Sequence, residues 1–169
     1  RVTDAETMDI VEMVLGGKIN QEIVGLINHH GGRAVGLSGK DGGLIKASRL
    51  KVRQPGSSDT SPLIDIGLVG KIDAINPHII QVVDSSGYIP IIAPVGVGDE
   101  GEPYNINADL VAGELAAGLK AEKLIMLTDV EGLYANYPDP ESVISELTAD
   151  QLEPMLPHLE TGMAPKMEA

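Results

Sequence analysis

Over the first thirty positions apolar residues recur at helical spacing. Ile10, Val11, Val14 and Leu15, then Ile19, Ile23, Leu26 and Ile27, fall on one face of a 3.6-residue repeat. Thr3-Asp4-Ala5-Glu6 reads as the capping box of this helix, with Thr3 as the cap and Glu6 three residues on. Gly16-Gly17 interrupts it, as a kink or as a close approach for another helix. Gly31-Gly32 ends it.

The period then changes. Arg33 to Leu37 reads as a short strand, followed by the turn-rich Ser38-Gly39-Lys40-Asp41-Gly42-Gly43. Leu44 to Val52 and Ile64 to Ile75 read as the two strands of a hairpin whose tip is 54–62. Asn76-Pro77 predicts a helix start, with Asn76 as cap and Pro77 at the first helical position, and Ile79, Ile80, Val82 and Val83 as the apolar side. Tyr88 to Val95 and Lys123 to Leu127 are nearly continuous apolar runs, expected of buried parallel strands. Between them a helix opens at Asn107 or Ala108, and Thr148-Ala149-Asp150-Gln151 is a second capping box, for a helix that Pro157 curtails. Helices alternating with apolar strands define an α/β chain with a mainly parallel sheet and a β-hairpin insertion at 44–75.

Composition narrows the function classes. The chain has 169 residues, 12 Lys+Arg against 25 Asp+Glu, a net charge of −13, 43% hydrophobic residues, and neither Cys, Trp nor Phe. Its core is therefore aliphatic. An acidic balance argues against nucleic acid, whose phosphates need clustered Lys and Arg. No apolar run approaches the roughly 20 residues that span a bilayer. Without Cys there is no disulfide framework and no thiolate metal site, and a reducing cytosol is the natural compartment. Charge is uneven: residues 1–95 carry 9 basic and 10 acidic residues, and residues 96–169 carry 3 and 15. That asymmetry suggests two functional halves, against the plainer reading of a solubilising acidic surface.

Several motifs compete for a chemical meaning. Gly96-Val97-Gly98-Asp99-Glu100-Gly101 matches a dinucleotide fingerprint, but Asp99 and Glu100 stand where a pyrophosphate would sit and no helix is predicted to start there, so a turn is expected. Gly36 to Asp41 has the wrong spacing for a P-loop and is expected to be a structural loop. None of His29, His30, His78 and His158 forms a metal pair at helical spacing, and the methionines are expected to fill the core. Asn105-Ile106-Asn107-Ala108-Asp109 places two amides and a carboxylate where a ligand binds beyond a strand end, or else supplies a turn, a cap and a dipole partner. Thr128-Asp129-Val130-Glu131-Gly132 is likewise a ligand loop or a plain turn. Lys166, in Gly162-Met163-Ala164-Pro165-Lys166, opposes the dipole of the helix it opens; that local misfit favours a role in binding an anion.

In order along the chain, Arg1-Val2-Thr3-Asp4 with Thr7-Met8-Asp9, Val14 to Asn20, Tyr104 to Asp109, Lys123 to Tyr134 and Gly162 to Lys166 resemble the N-acetylglutamate kinases of the amino acid kinase family. The resemblance implies a three-layer αβα sandwich around an open, mainly parallel sheet. Residues 1–95 would belong to an N-terminal lobe that binds the acyl amino acid and dimerises, with hairpin 44–75 as a lid. Residues 96–169 would belong to a C-terminal lobe that binds ATP with Mg²⁺ held through its phosphates.

By the same resemblance, Arg1 and Asn105 bind N-acetyl-L-glutamate, and Lys166 stabilises the transferring phosphoryl group while Asp109 orients lysines. Thr128, Asp129, Gly132, Leu133, Tyr134 and Leu159 contact the nucleotide, helped by residues around His158. Further implications are a homodimer or a hexamer built of dimers, a nitrogen-regulatory protein partner, and a cytoplasmic setting. The family's first strand with a catalytic lysine, and its glycine-rich phosphate loops, are expected before Arg1, so these residues alone are expected to be inactive. The alternatives are a relative acting on aspartate, glutamate, carbamate or a nucleoside monophosphate, and a non-catalytic dimerisation or regulator-binding module.

Overall fold

The structure is a computed structural model that describes residues 2–53, 61–159 and 162–169. Its first element is one long helical run. Helix α1 (Ala5–Val11) passes into a π-helical segment (Glu12–Ile19) and then into α2 (Asn20–His29). The run begins one residue later than the capping box implies: Asp4, not Thr3, is the cap, accepting from the Thr7 amide at 2.8 Å. Thr3 is instead buried in a bridge to Gly67, its amide donating to Ile66 O at 3.0 Å. A β-pairing of the chain's beginning thus wins over the local cap. Gly16 and Gly17 do not break the helix. They lie in the π segment, where a widened turn absorbs them. Gly31 ends the run with a φ of 87°.

Strand β1 (Ala34–Ser38) pairs in parallel with β4 (Ile89–Ala93), from Ala34↔Ile89 to Ser38↔Ala93. The crossover between them contains the hairpin β2 (Ile45–Val52) and β3 (Ile64–Ile75), then α3 (His78–Ser85). The hairpin strands form as the pattern predicts; its tip at 54–60 lies outside the described residues. β2 and β3 close with β5 (Val95–Val97) and β6 (Pro103–Asn105) into a small four-stranded barrel. The apolar run 88–95 therefore serves two sheets, turning at Pro94. The core lies between barrel and helices: Leu44, Ile45, Ala47, Ile80, Tyr104, Ile106 and Val111 are all buried. It is aliphatic apart from Tyr104. Met8 joins the buried set, but Met13 is 63% exposed, so the methionines are not uniformly core filler.

Asn20 anchors the helical run to the sheet. Its amide Nδ2 donates to Ile91 O at 2.8 Å and Leu37 O at 3.3 Å, one carbonyl on each of β4 and β1. Buried carbonyls need such partners. The Oδ1 atom fills the place where a side chain at Gly36 would begin, so only glycine admits the helix this close.

Residue 98 to 102 is a turn and not a pyrophosphate loop. Gly98 N donates to Glu102 O at 2.9 Å, and Gly101 N to Gly98 O at 3.1 Å. Asp99 pairs with Lys46 of the hairpin. Asp41, after the would-be P-loop lysine, accepts from Ser38 N at 2.6 Å, which makes that stretch the expected structural loop.

The second half differs more from expectation. Helix α4 (Ala108–Leu119) forms as predicted. Lys123 to Leu127 does not form a strand: it has no regular secondary structure and no strand neighbour among the described residues, and Ile125 and Leu127 are 73% and 91% exposed. An apolar run becomes a buried strand only where neighbours satisfy its backbone. Beyond it lie the antiparallel pair β7 (Leu133–Tyr134) and β8 (Val143–Ile144), and α5 (Ala149–Leu152). The Thr148–Gln151 capping box is present, but α5 ends ahead of Pro154 and well short of Pro157. Helix α6 (Ala164–Glu168) closes the order.

Candidate functional site

Helix α4 sets the position of the first site residue. The Asn107 side chain accepts from Asp109 N at 2.8 Å and Leu110 N at 3.2 Å, which caps the helix and puts Asp109 in its first turn. α6 packs across α4, with the backbone of Ala169 against Gly113, a position where any side chain would collide. That packing brings Lys166 to Asp109. Lys166 Nζ donates to both carboxylate oxygens at 3.0 Å, and the two side chains retain only 21% and 23% exposure. The lysine that looked misplaced at a helix start is matched by a carboxylate from 57 residues earlier.

Lys166 also lines a cavity of about 630 Å³. Thr128, Asp129, Leu133, Tyr134 and Leu159 line the same cavity. Six of the residues singled out in the sequence thus share one wall system. Gly132 stands beside them in the chain without lining the cavity, and Asn105 is not part of it either. Arg1 lies outside the described residues. His158 contributes, as do Gly162 and Met163 of the Gly162 to Lys166 motif, together with Asn136, Tyr137 and Met155, which sequence reasoning did not single out. Nothing in a motif marks these last three; the β7–β8 turn and the short α5–α6 segment carry them in. Tyr134 and Tyr137 meet edge to face, centroids 5.4 Å apart at 81°.

Asn105 sits at the end of β6, in register with Val95 on one side and Val69 on the other. A polar network steadies that strand. The Tyr104 hydroxyl donates to Glu102 Oε1 at 3.0 Å, while Glu102 Oε2 accepts from Glu100 N at 3.1 Å. These contacts, led by a bond from its own backbone amide and then the Tyr104 hydroxyl, hold the Glu102 carboxyl below the usual carboxylate range; burial first, then Glu102, pushes the Tyr104 phenol up. On the hairpin, Asp65 is held low by the Gly67 amide and then by Arg49, whose guanidinium lies 3.0 Å away.

An ammonium fixed by a carboxylate, at the wall of a cavity lined by aromatic and aliphatic side chains, can hold an anion whose remainder is flat and apolar. This chain belongs to the amino acid kinase family: the family's sequence profile matches residues 1–169. Among its relatives are the acetylglutamate kinases of Pelotomaculum thermopropionicum, 57% identical over 173 residues, and of Moorella thermoacetica, 54% identical over 169. Each alignment takes in 99% of this chain but only 58% and 57% of the relative, so the chain spans little more than half their length. Among solved structures, smu.665 of Streptococcus mutans superposes with a TM-score of 0.80 at 29% identity, covering 99% of this chain and 63% of that one. The α/β architecture is therefore the amino acid kinase fold.

Proposed function

We propose that the chain works as an acetylglutamate kinase, passing the γ-phosphoryl group of ATP to the side-chain carboxylate of N-acetyl-L-glutamate. The product is N-acetyl-L-glutamyl 5-phosphate, in arginine biosynthesis. The observation that carries the reading is identity above 50%, along essentially the whole chain, to relatives bearing that name. The Lys166–Asp109 pair at the cavity wall supports it chemically.

The acceptor is a carboxylate with an ordinary pKa of about 4.3, already ionised at neutral pH. No base is needed to activate it. The obstacle is bringing one anion onto another, which cationic stabilisation and alignment overcome. Lys166 serves the transferring phosphoryl group, and Asp109 fixes where its ammonium points. Arg1 and Asn105 bind the acyl amino acid; a planar guanidinium suits its α-carboxylate. Among the described residues no three His, Asp or Glu are grouped to hold a metal ion. In this reading Mg²⁺ is carried by the nucleotide phosphates and neutralises their charge. Residues 1–95 form the acyl amino acid half and 96–169 the nucleotide half. The hairpin acts as a lid that keeps water from the acyl phosphate.

Homodimerisation through the first helical run fits its uncovered apolar residues, Ile10, Met13, Ile23 and Leu26. No helix among the described residues is long and apolar enough to cross a membrane, and a cytoplasmic setting fits the substrates.

The test, made on the protein at the full length of its relatives because residues 1–169 alone are expected to be inactive, is trapping the acyl phosphate with hydroxylamine, in the presence of MgATP, over a panel of N-acetylglutamate, glutamate, aspartate and carbamate. Hydroxamate formed with N-acetylglutamate is expected. Preferential reaction with another acceptor would replace this reading with that of another relative in the family.

A further inference from the structure

Strand β3 does not follow its hairpin partner evenly. Arg49 of β2 stands opposite Gly70 and Lys51 opposite Asp65, so residues 66–69 of β3 bulge out against Leu50. Other strands take up the backbone groups that the bulge releases. Ile66 O accepts from Thr3 N at 3.0 Å, and Leu68 N donates to Thr3 O at 2.6 Å. Between them Gly67 has a φ of 80°, and a side chain there would strike the Thr3 carbonyl. Val69, next but one along β3, pairs in parallel with Asn105 of β6. One bulge thus receives both the segment that begins with Arg1 and the strand that ends in Asn105, the two residues read above as binding the acyl amino acid.

A single carboxylate fastens the bulge at both ends. Asp65 Oδ1 accepts from Gly67 N at 2.8 Å, an Asx turn that fixes the glycine's left-handed backbone. Asp65 Oδ2 accepts from Arg49 Nη1 at 3.0 Å. Arg49 lies across from Gly70, at the far end of the bulge, so the ion pair spans it from end to end. Lys51, across from Asp65, adds positive charge beside that carboxylate. At Gly70 the Cβ of Tyr104 stands where a side chain would begin, which presses β6 onto the same end. Burial and then Glu102 raise the Tyr104 phenol, and Arg49 works against the rise, so the guanidinium serves both Asp65 and the residue next to Asn105. With side chains 42% and 50% exposed, the Arg49–Asp65 pair contributes little to folding; what it fixes is a spacing.

We propose that this bulge sets the distance between Arg1 and Asn105 across the acyl amino acid, and that Asp65 and Arg49 are its positioning residues. This rests on the N-acetylglutamate reading above and adds the groups that keep its two contacts in register. A substrate held at two points gains from both only when their spacing is fixed before it arrives. Neither Asp65 nor Arg49 needs to touch the substrate, and neither lines the cavity that holds Lys166. Loss of the pair is therefore felt in acceptor binding, and not at the nucleotide or the transferring phosphoryl group.

The experiment measures steady-state kinetics by the hydroxamate assay, on the protein at the full length of its relatives. It compares wild type with Asp65→Asn, Arg49→Gln, Arg49→Lys, the double variant Asp65→Asn with Arg49→Gln, and Lys40→Gln. Asp65→Asn and Arg49→Gln should each raise KM for N-acetylglutamate about tenfold, with kcat and KM for MgATP within about threefold of wild type. That unchanged kcat also shows the variants to be folded. The double variant should be no worse than either single one, because each already loses the whole pair. Arg49→Lys keeps the charge without the fork and should raise KM less than Arg49→Gln does. Lys40→Gln removes another exposed pair, with Glu12 and outside the barrel, and should leave KM unchanged. A rise under about threefold in Asp65→Asn overturns the proposal, and so does a rise as large in Lys40→Gln. A change beyond about threefold in kcat or in KM for MgATP overturns it too, since it marks a general loosening. If the wild type turns over no N-acetylglutamate, the functional reading itself falls and the proposal falls with it.

Discussion

Replacing Asp109 by asparagine keeps the side chain's size and leaves the Asn107 cap intact, because that cap bonds to backbone amides. It removes only the charge facing Lys166. At the observed 3.0 Å separation the bare attraction is about 5 kcal/mol at an effective dielectric near 20. Desolvation offsets much of it. Exposed pairs measure about 0.2–1 kcal/mol, whereas breaking a fully buried one costs about 3–5. With side chains at 21% and 23% exposure, the pair falls between these limits, and a coupling of about 1.5 kcal/mol is expected. Asp109 also sits in the first turn of α4, where a carboxylate gains about 0.3–1 kcal/mol from the dipole. Asp109→Asn should therefore cost about 2 kcal/mol, and Lys166→Met about 1.5, since only the aspartate has a dipole contribution to lose besides the pair. Urea denaturation of wild type, both single variants and the double variant at pH 7 gives the coupling from the cycle. A value under about 0.5 kcal/mol would refute the argument that this pair fastens α6 to α4.

The other predictions concern the scaffold and its pH dependence. Asn20→Asp should destabilise by about 3 kcal/mol and Asn20→Ala by about 1–2, because the aspartate turns a donor to two carbonyls into a third acceptor; thermal melts would rank them, and equal losses would contradict the clamp. Gly113→Ala should cost about 1 kcal/mol net despite the better helix propensity of alanine, since the new methyl group meets the Ala169 backbone. Faster hydrogen exchange in α6 should accompany it, and unchanged exchange would speak against the packing described. Asp65, Asp99 and Glu102 all titrate below the ordinary carboxylate range. The stability they supply is complete at neutral pH and is lost as pH falls below about 4 through their lowered values. Glu102→Gln should flatten that acid limb in urea midpoints taken from pH 6 to 2.5, and an unchanged slope would remove Glu102 from the account.

Elements whose signal is local were legible in the sequence. The helix opened by Asn107, the hairpin strands and the Thr148 cap needed only spacing and capping chemistry. Thr3 was misread because its role depends on Gly67, far along the chain, and a long-range bridge leaves no local trace. Lys123 to Leu127 looked like a buried strand because apolar character records what a segment tends to do, not whether neighbours are at hand. At the site, Lys166 could be noticed as a misfit, but its distance to Asp109 depends on how α6 crosses α4. Tyr137 and Met155 reach the cavity through irregular turns, where no periodicity points inward.

The uncovered run at 123–127 has a bearing on how the molecule behaves in concentrated solution. Ile125 and Leu127 stand exposed on backbone that no strand pairs with among the described residues, and an unpaired apolar segment is prone to pair with a copy of itself. Lys123 within it and Glu122 and Asp129 beside it act as gatekeepers. Electrostatic repulsion between molecules is the larger safeguard, since residues 96–169 carry 15 acidic against 3 basic side chains. That safeguard vanishes near the isoelectric point of about 4.5. The acidity of this half thus works as a colloidal brake on a sticky segment, and it releases as pH falls to about 4.5, before the lowered Glu102 carboxyl protonates.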